Sequence, residues 1–303
     1  MPEVGTMADA IAPTGTETAI NGLTLEWPSE ELNEKQQVIV KAINTWWVKE
    51  GLDLVEESYG LSFTEQGTTV SKMNIEFYTD SESSTLAAVY NSHYTSGPNI
   101  GEAVSLTMRI NMAKFESIDL DDVNGYAGET SGYLDRTIAH ELTHAVMAAN
   151  ITGFNQLPDS IVEGSAELVH GIDDFRTSNI MALALSSNSE ALETALTNNQ
   201  SLSHTLYEDS YAAGYMLLRY FAKQVADSVN DNTSISSSPM LSNFSNDALY
   251  TFSSEAGTAV NAASLTNTEF GSGTLFVASC DYTTGGAANV IPSDSDKKEM
   301  RFA

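Results

Sequence analysis

The order of hydrophobic patterns along the 303 residues predicts an α+β fold. Residues 73–78 and 104–112 alternate apolar and polar side chains, which is typical of half-buried strands. The middle of the chain instead repeats its apolar residues at helical spacing. After Val229 the sequence becomes rich in Ser, Asn, Thr and Gly, with short strand-like pieces such as residues 274–278.

A first helix is predicted over residues 33–50. Asn33 and Gln36 have the spacing of a capping box, in which each side chain accepts a hydrogen bond from the other residue's backbone N–H. Apolar residues then recur on one side of the segment, as on an amphipathic helix. Gly51 is expected to end it, because glycine commonly follows the last helical turn.

Four further segments have helical spacing, and they follow the predicted strands without interruption by another strand pattern. They span residues 133–150, 159–170, 180–196 and 209–225. We therefore expect a domain over residues 25–228, preceded by a flexible tail at 1–24. Residues 229–303 are expected to form a small module or a linker.

Composition excludes several functional classes. A net charge of −28 would repel phosphate backbones, so nucleic acid is not an expected partner. No apolar run approaches the ~20 residues that cross a bilayer, so membrane insertion is not expected. A single cysteine, Cys280, excludes an intramolecular disulfide. Residues 1–13 have neither a basic nor an apolar stretch, so no cleavable secretion signal is predicted there.

The most informative motif is His-Glu-Leu-Thr-His at residues 140–144. Histidines at i and i+4 lie one turn apart on the same face of a helix, so both imidazoles can bind one metal ion. This spacing predicts that His140 and His144 bind Zn²⁺. Glu141 would lie beside the metal, where its carboxylate can accept a proton from a water molecule.

The helical phase agrees with this arrangement. At about 100° per residue, Ile138, Leu142, Ala145 and Ala149 fall on the side opposite the two histidines. The apolar side should therefore be buried in the core and the histidines should face a cleft.

A third protein ligand is expected, because catalytic zinc sites usually have three protein ligands and keep one position for water. The continuation Gly-x-x-His does not occur, since Met147 and Asn150 stand at those positions. The helix at 159–170 instead offers Glu163 and Glu167 at i and i+4, with His170 on the same face. From the residues alone, Glu163 and His170 both remain candidates.

The Glu-Gly-x-Ala-Glu stretch at residues 163–167 resembles the third-ligand helix of gluzincins, the thermolysin-like and aminopeptidase-like zinc peptidases. The resemblance implies that Glu163 is the third ligand and that Glu167 orients one imidazole from outside the ligand set. Tyr211-x-x-Gly resembles a gluzincin helix whose tyrosine stabilises the oxyanion. His204 is the alternative donor, since thermolysin-like enzymes use a histidine, and Tyr211 could also be a core residue.

The resemblance covers about residues 104–225 and implies a two-lobed zincin fold. In that fold a mixed sheet lies over the active-site helix, residues 106–111 form the edge strand, and helices form the lower lobe. The Gly-Ala-Met-Glu-Asn motif of the aminopeptidases is absent, so an endopeptidase is preferred. The chain also resembles peptidase modules of the flagellinolysin type, which implies an extracellular or cell-surface location within a larger exported protein.

The sequence therefore predicts a zinc-dependent endopeptidase that acts on protein or peptide substrates. Two alternatives belong to other classes. One is an inactive zincin-fold protein that only binds a partner, although a pure binding site has no need of Glu141. The other is a zinc hydrolase that acts on a non-peptide amide or ester.

Overall fold

The computed structural model has a mixed α+β architecture. It describes residues 17–65, 67–128, 132–157, 159–170, 174–185, 195, 209–218, 250–254, 258–261 and 277–280. Most of the predicted tail at 1–24 and of the C-terminal segment at 229–303 lies outside these ranges. The division of the chain into those segments and a domain at 25–228 therefore stays a prediction.

Five strands form the main sheet: β1 (Glu17–Ile20), β2 (Leu23–Glu26), β3 (Lys72–Tyr78), β4 (Ala87–His93) and β5 (Ala103–Asn111). Their order is β1-β2-β3-β5-β4. The sheet is mixed, because β2, β3 and β5 run parallel while β1 and β4 pair antiparallel to their neighbours. A separate antiparallel sheet has the order β7-β6-β8 and contains β6 (Tyr250–Ser254), β7 (Thr258–Asn261) and β8 (Val277–Cys280).

Along the chain, two of the helices precede β3 and the others follow β5. They are α1 (Glu34–Ala42), α2 (Val48–Tyr59), α3 (Leu134–Asn150), α4 (Asp159–His170) and α5 (Asp174–Leu185), and residues 209–218 are also helical. A π-helical turn, Ile43–Trp47, joins α1 to α2, and short 3₁₀ turns occur at Met112–Phe115 and Phe154–Gln156. In the part of the chain that the structure describes, no helix combines the length and apolar character needed to cross a bilayer.

The first helical region confirms one sequence prediction and corrects another. Asn33 and Gln36 form the predicted capping box. Gly51 does not end the helix, which continues to Tyr59 and ends at Gly60 in a left-handed conformation. A Cβ at Gly51 would lie 2.8 Å from the Leu142 side chain, so the missing side chain lets α2 pack closely against α3.

Two other sequence predictions are wrong in position. The strand predicted as the edge, residues 106–111, lies between β3 and β4, and β4 is the edge strand of the described sheet. The alternation of this central strand was recognisable because Leu106 and its i+2 and i+4 neighbours are buried. The helix predicted at 180–196 starts earlier, at Asp174, and its described part ends at Leu185.

Helix α3 lies at the centre of the architecture. It packs against α2 on one side, α4 on another, and β4 and β5 of the main sheet. Ile138, Leu142, Ala145 and Ala149 are fully buried, which confirms the predicted apolar side. The His-Glu-x-x-His motif is therefore held on a helix that contacts two neighbouring helices and the main sheet.

Candidate metal centre

The three motif residues of α3 form a compact cluster. His140, Glu141 and His144 each offer a ligand atom, and these atoms all lie within 4.8 Å of one another. The imidazole ring centroids of the two histidines are 4.8 Å apart. Glu141 and His144 are buried and His140 is nearly so. This buried group could hold a metal ion, and it is compatible with a zincin motif.

Glu163 reaches this cluster from α4. Its Oε2 lies 3.0 Å from His140 Nε2 and 3.3 Å from His144 Nε2. Ligands about 2.0–2.1 Å from a tetrahedral zinc ion lie about 3.3 Å from each other. The contact with His140 is a direct hydrogen bond, and both separations are also compatible with atoms that bind one ion.

Glu167 lies one helical turn beyond Glu163 and contacts the other side of His140. Its Oε1 is 3.6 Å from His140 Nδ1, an ion-pair distance rather than a hydrogen bond. Its second oxygen faces the guanidinium of Arg176 on α5, with Oε2 3.4 Å from Nε. The structure thus places Glu167 where the sequence predicts a carboxylate that orients an imidazole. Its role in doing so stays a prediction.

Glu141 points toward the sheet rather than toward Glu163. Its Oε2 accepts a hydrogen bond of 2.6 Å from the backbone N–H of Val89, on the edge strand β4. Two carboxylates could thus serve as third ligand to an ion on His140 and His144. Glu163 is favoured because one of its oxygens contacts both imidazole Nε2 atoms, whereas an oxygen of Glu141 already has a backbone partner.

The charges of the site's carboxylates and imidazoles shift one another's pKa. Burial lowers the pKa of His140, but the hydrogen bond and charge of Glu163, helped by Glu141 and Glu167, raise it to about 9. Burial opposes ionisation of Glu163, yet the charge of His144 and hydrogen bonds with both imidazoles hold its pKa far below the usual range. Glu141 differs, since burial raises its pKa above the ordinary value.

The donor set fits a divalent zinc ion. Glu141 and Glu167 are buried, Glu163 is partly buried, and the Arg176 guanidinium lies against Glu167 and offsets its charge. In the metal-free site a protonated His140 offsets part of the remaining negative charge, and a bound divalent cation would offset it instead. Two imidazole nitrogens and one carboxylate oxygen are also a ligand set found in catalytic zinc sites.

Tyr211 lies beside the cluster on the 209–218 helix. Its ring centroid is 6.2 Å from that of His140, and the Arg176 guanidinium carbon lies 4.4 Å from it. Burial, followed by the charges of Glu163 and Glu141, raises the pKa of Tyr211 well above its ordinary value. The phenol, which is protonated at neutral pH even at its ordinary pKa, can donate a hydrogen bond.

A contact between two glycines lets the 209–218 helix pack closely against α4, beside the cluster. A Cβ built on Gly164 of α4 would lie 2.5 Å from the carbonyl oxygen of Gly214. The two helices therefore cross with their backbones in contact, as only glycine permits. This crossing lies one residue from Glu163 and three residues from Tyr211.

The two alternative histidines stay untested predictions. His170 is the last residue of α4, and its side chain is not among those described. His204 lies outside the described residues.

Two residues that contact the site, Arg176 and Val89, were not predicted from the sequence. Arg176 lies before the start of the helix predicted at 180–196, and its only signal is that it is one of 13 basic residues in an acidic chain. Val89 lies on β4, whose Ala-Ala-Val-Tyr-Asn-Ser-His sequence has no clear apolar alternation. Neither residue belongs to a motif that sequence spacing could identify.

No protein-family model matches the chain, and neither the curated proteins nor the solved structures contain a significant match. The site's own geometry and chemistry therefore carry the functional proposal.

Proposed function

We propose that this chain is a zinc-dependent endopeptidase of the gluzincin type, with Zn²⁺ held by His140, His144 and Glu163. One observation carries the proposal: Glu163 Oε2 contacts the Nε2 atoms of both motif histidines, at 3.0 and 3.3 Å. The contact joins two helices that are separate in the sequence. This proximity supports the ligand set that the gluzincin resemblance implies.

Glu141 is the proposed general base. A zinc ion at this position supplies a Lewis acid that activates water and polarises a carbonyl group. Burial raises the pKa of Glu141, which makes its carboxylate a better proton acceptor near neutral pH. Glu141 would accept a proton from the attacking water and then pass it to the leaving amine.

Tyr211 is the proposed donor to the oxyanion. Its phenol is protonated at neutral pH, and burial with the nearby carboxylates disfavours its ionisation further by raising its pKa. A hydrogen bond from the phenol would stabilise the negative charge that develops on the former carbonyl oxygen. His204 remains the alternative donor.

The edge strand β4 is the proposed binding surface for an extended peptide. The Asn111 N–H on β5 donates a hydrogen bond to the Leu86 carbonyl just before β4. Backbone N–H and C=O groups of every second residue from Leu86 onward therefore point toward β5. The Val89 N–H instead faces Glu141, on the side away from β5. A peptide that pairs along this edge would pass the proposed base with its backbone extended.

The remaining elements of the proposal follow from the gluzincin resemblance. The main sheet would form the upper lobe of a two-lobed zincin, and α4 with the 209–218 helix would contribute to the lower lobe. We also propose that the chain is a module of a larger exported protein that acts outside the cell or at its surface.

A digest with identified products tests this function. Zinc-loaded protein is incubated with a denatured protein and a peptide library, and mass spectrometry locates the cleaved bonds, with a chelator-treated sample as control. Chelator-sensitive cleavage at internal bonds supports the proposal. Hydrolysis of model esters or non-peptide amides alone would replace it with the second hydrolase class. Zinc binding without any hydrolysis would favour a protein that only binds a partner.

A further inference from the structure

Arg176 contacts both Glu167 on α4 and Tyr211 on the 209–218 helix. We propose that Arg176 is a positioning residue, which fixes the Tyr211 ring against the Glu167 carboxylate that contacts His140. This inference rests on the proposed function, because it assigns a task to Tyr211 in that reaction. It adds a residue that neither the motif spacing nor the gluzincin resemblance identified.

The contacts of Arg176 define this task. Its Nε lies 3.4 Å from Glu167 Oε2, and its guanidinium carbon lies 4.4 Å from the centroid of the Tyr211 ring. A planar guanidinium can pair with a carboxylate through its edge while its face packs on an aromatic ring. The Glu167 side chain is only 2% exposed and that of Arg176 18%, so solvent screens their attraction weakly.

The Glu167 carboxylate that pairs with Arg176 also contacts His140, a proposed metal ligand. Glu167 Oε1 lies 3.6 Å from His140 Nδ1. Tyr211, Arg176, Glu167 and His140 therefore form an unbroken series of contacts that starts and ends at the proposed reaction centre. One guanidinium thus contacts both the ring of the proposed hydrogen-bond donor and the carboxylate that lies beside the imidazole.

The backbone does not provide this restraint. The Gly164–Gly214 contact sets how closely α4 and the 209–218 helix approach each other. That contact involves backbone atoms only, so it does not by itself fix the side-chain torsions of Tyr211. A cation over the ring face favours one orientation of the ring, and such contacts strengthen when water is excluded.

The first test needs neither metal nor activity. Metal-free protein is labelled with 3-fluorotyrosine, and the ¹⁹F signal of Tyr211 is assigned by its disappearance in Tyr211→Phe. Arg176→Met is expected to move or broaden this signal. Arg136→Met is the matched control, since Arg136 lies over the ring of Tyr133 at 5.1 Å. An unchanged Tyr211 signal in Arg176→Met would overturn the inference.

The second test is a double-mutant cycle on kcat/KM, with zinc affinity measured in parallel. Arg176→Met should lower kcat/KM about tenfold or more when Tyr211 is present, and less than about twofold in the Tyr211→Phe background. It should also weaken zinc binding up to about tenfold, through Glu167 and His140. Equal losses of activity in the two backgrounds would contradict the inference and leave the proposed function standing.

A conservative variant keeps the test valid if Arg176→Met does not fold. Arg176→Lys retains the charge opposite Glu167 but not the planar group that packs on Tyr211. We expect near-normal zinc affinity together with a displaced Tyr211 signal. Wild-type protein that binds zinc without cleaving peptides would refute the proposed function, and the ¹⁹F experiment would still decide the role of Arg176.

Discussion

The crossing of α4 with the 209–218 helix predicts an unusual response to Gly164→Ala. A Cβ at this position would lie 2.5 Å from the oxygen, 2.6 Å from the carbonyl carbon and 3.1 Å from the Cα of Gly214. These are backbone atoms, which cannot move aside as the end of a flexible side chain can. The two helices must separate by about 1 Å to reach an ordinary contact of ~3.5 Å.

Two effects oppose each other in this variant. The higher helix propensity of alanine alone would stabilise α4 by about 1 kcal/mol relative to glycine. Overpacking a close contact costs about 1–3 kcal/mol, and a backbone clash lies toward the upper part of that range. We therefore expect the free energy of unfolding to fall by about 1–2 kcal/mol. Activity should fall more, on the order of 100-fold in kcat, because Tyr211 lies on the displaced helix.

Urea unfolding of the metal-free protein and steady-state kinetics of the zinc-loaded protein measure these effects. Ser165→Ala is the matched control at the next residue. The Ser165 hydroxyl is buried without a hydrogen-bond partner in the described part of the chain, so its removal should leave stability unchanged or improved. A Gly164→Ala protein that is more stable than wild type and fully active would refute the reasoning.

Three further predictions follow from the site and its helix. Glu163→Gln should weaken zinc binding at least about 10- to 100-fold, because even residues that only support a ligand contribute that much to affinity. Competition with a chelating dye measures the affinity, and an unchanged value would remove Glu163 from the ligand set. Tyr211→Phe should lower kcat by about 100- to 1,000-fold with zinc affinity unchanged, and a normal kcat would transfer the donor role to another group such as His204. Burial, opposed by Arg136, raises the pKa of Asp135 from 3.8 to about 6. Ionisation of Asp135 therefore destabilises the fold as pH rises through that interval. Asp135→Asn should raise the free energy of unfolding at about pH 8 by roughly 1 kcal/mol, after allowance for partial exposure, and change it little below about pH 4. Equal effects at both pH values would contradict the assignment.

Local patterns explain what the sequence predicted correctly. The spacing of His140 and His144 and the four buried residues on the opposite side are properties of one helix. The capping box at Asn33 is equally local, since its two side chains are three residues apart. The bounds of α4 were recognised for the same reason, because its apolar and acidic residues repeat every three to four positions.

Tertiary contacts explain what the sequence did not predict. Gly51 was predicted to end the first helix, but it lies inside a helix, where the absence of a side chain allows close packing against α3. The edge position of β4 depends on the order in which strands pair, which periodicity does not encode. Arg176 joins the site only because α5 brings it against Glu167 and Tyr211. Each of these features depends on an element distant in sequence.

The most direct test of the proposed peptidase compares wild type with Glu141→Gln. Zinc content and cleavage of a denatured protein are measured side by side on the two proteins. We predict close to one zinc per chain in both, with internal cleavage by wild type alone, because the substitution removes the proposed base and keeps His140, His144 and Glu163. Full cleavage by Glu141→Gln, or the absence of bound zinc in the wild type, would contradict the account.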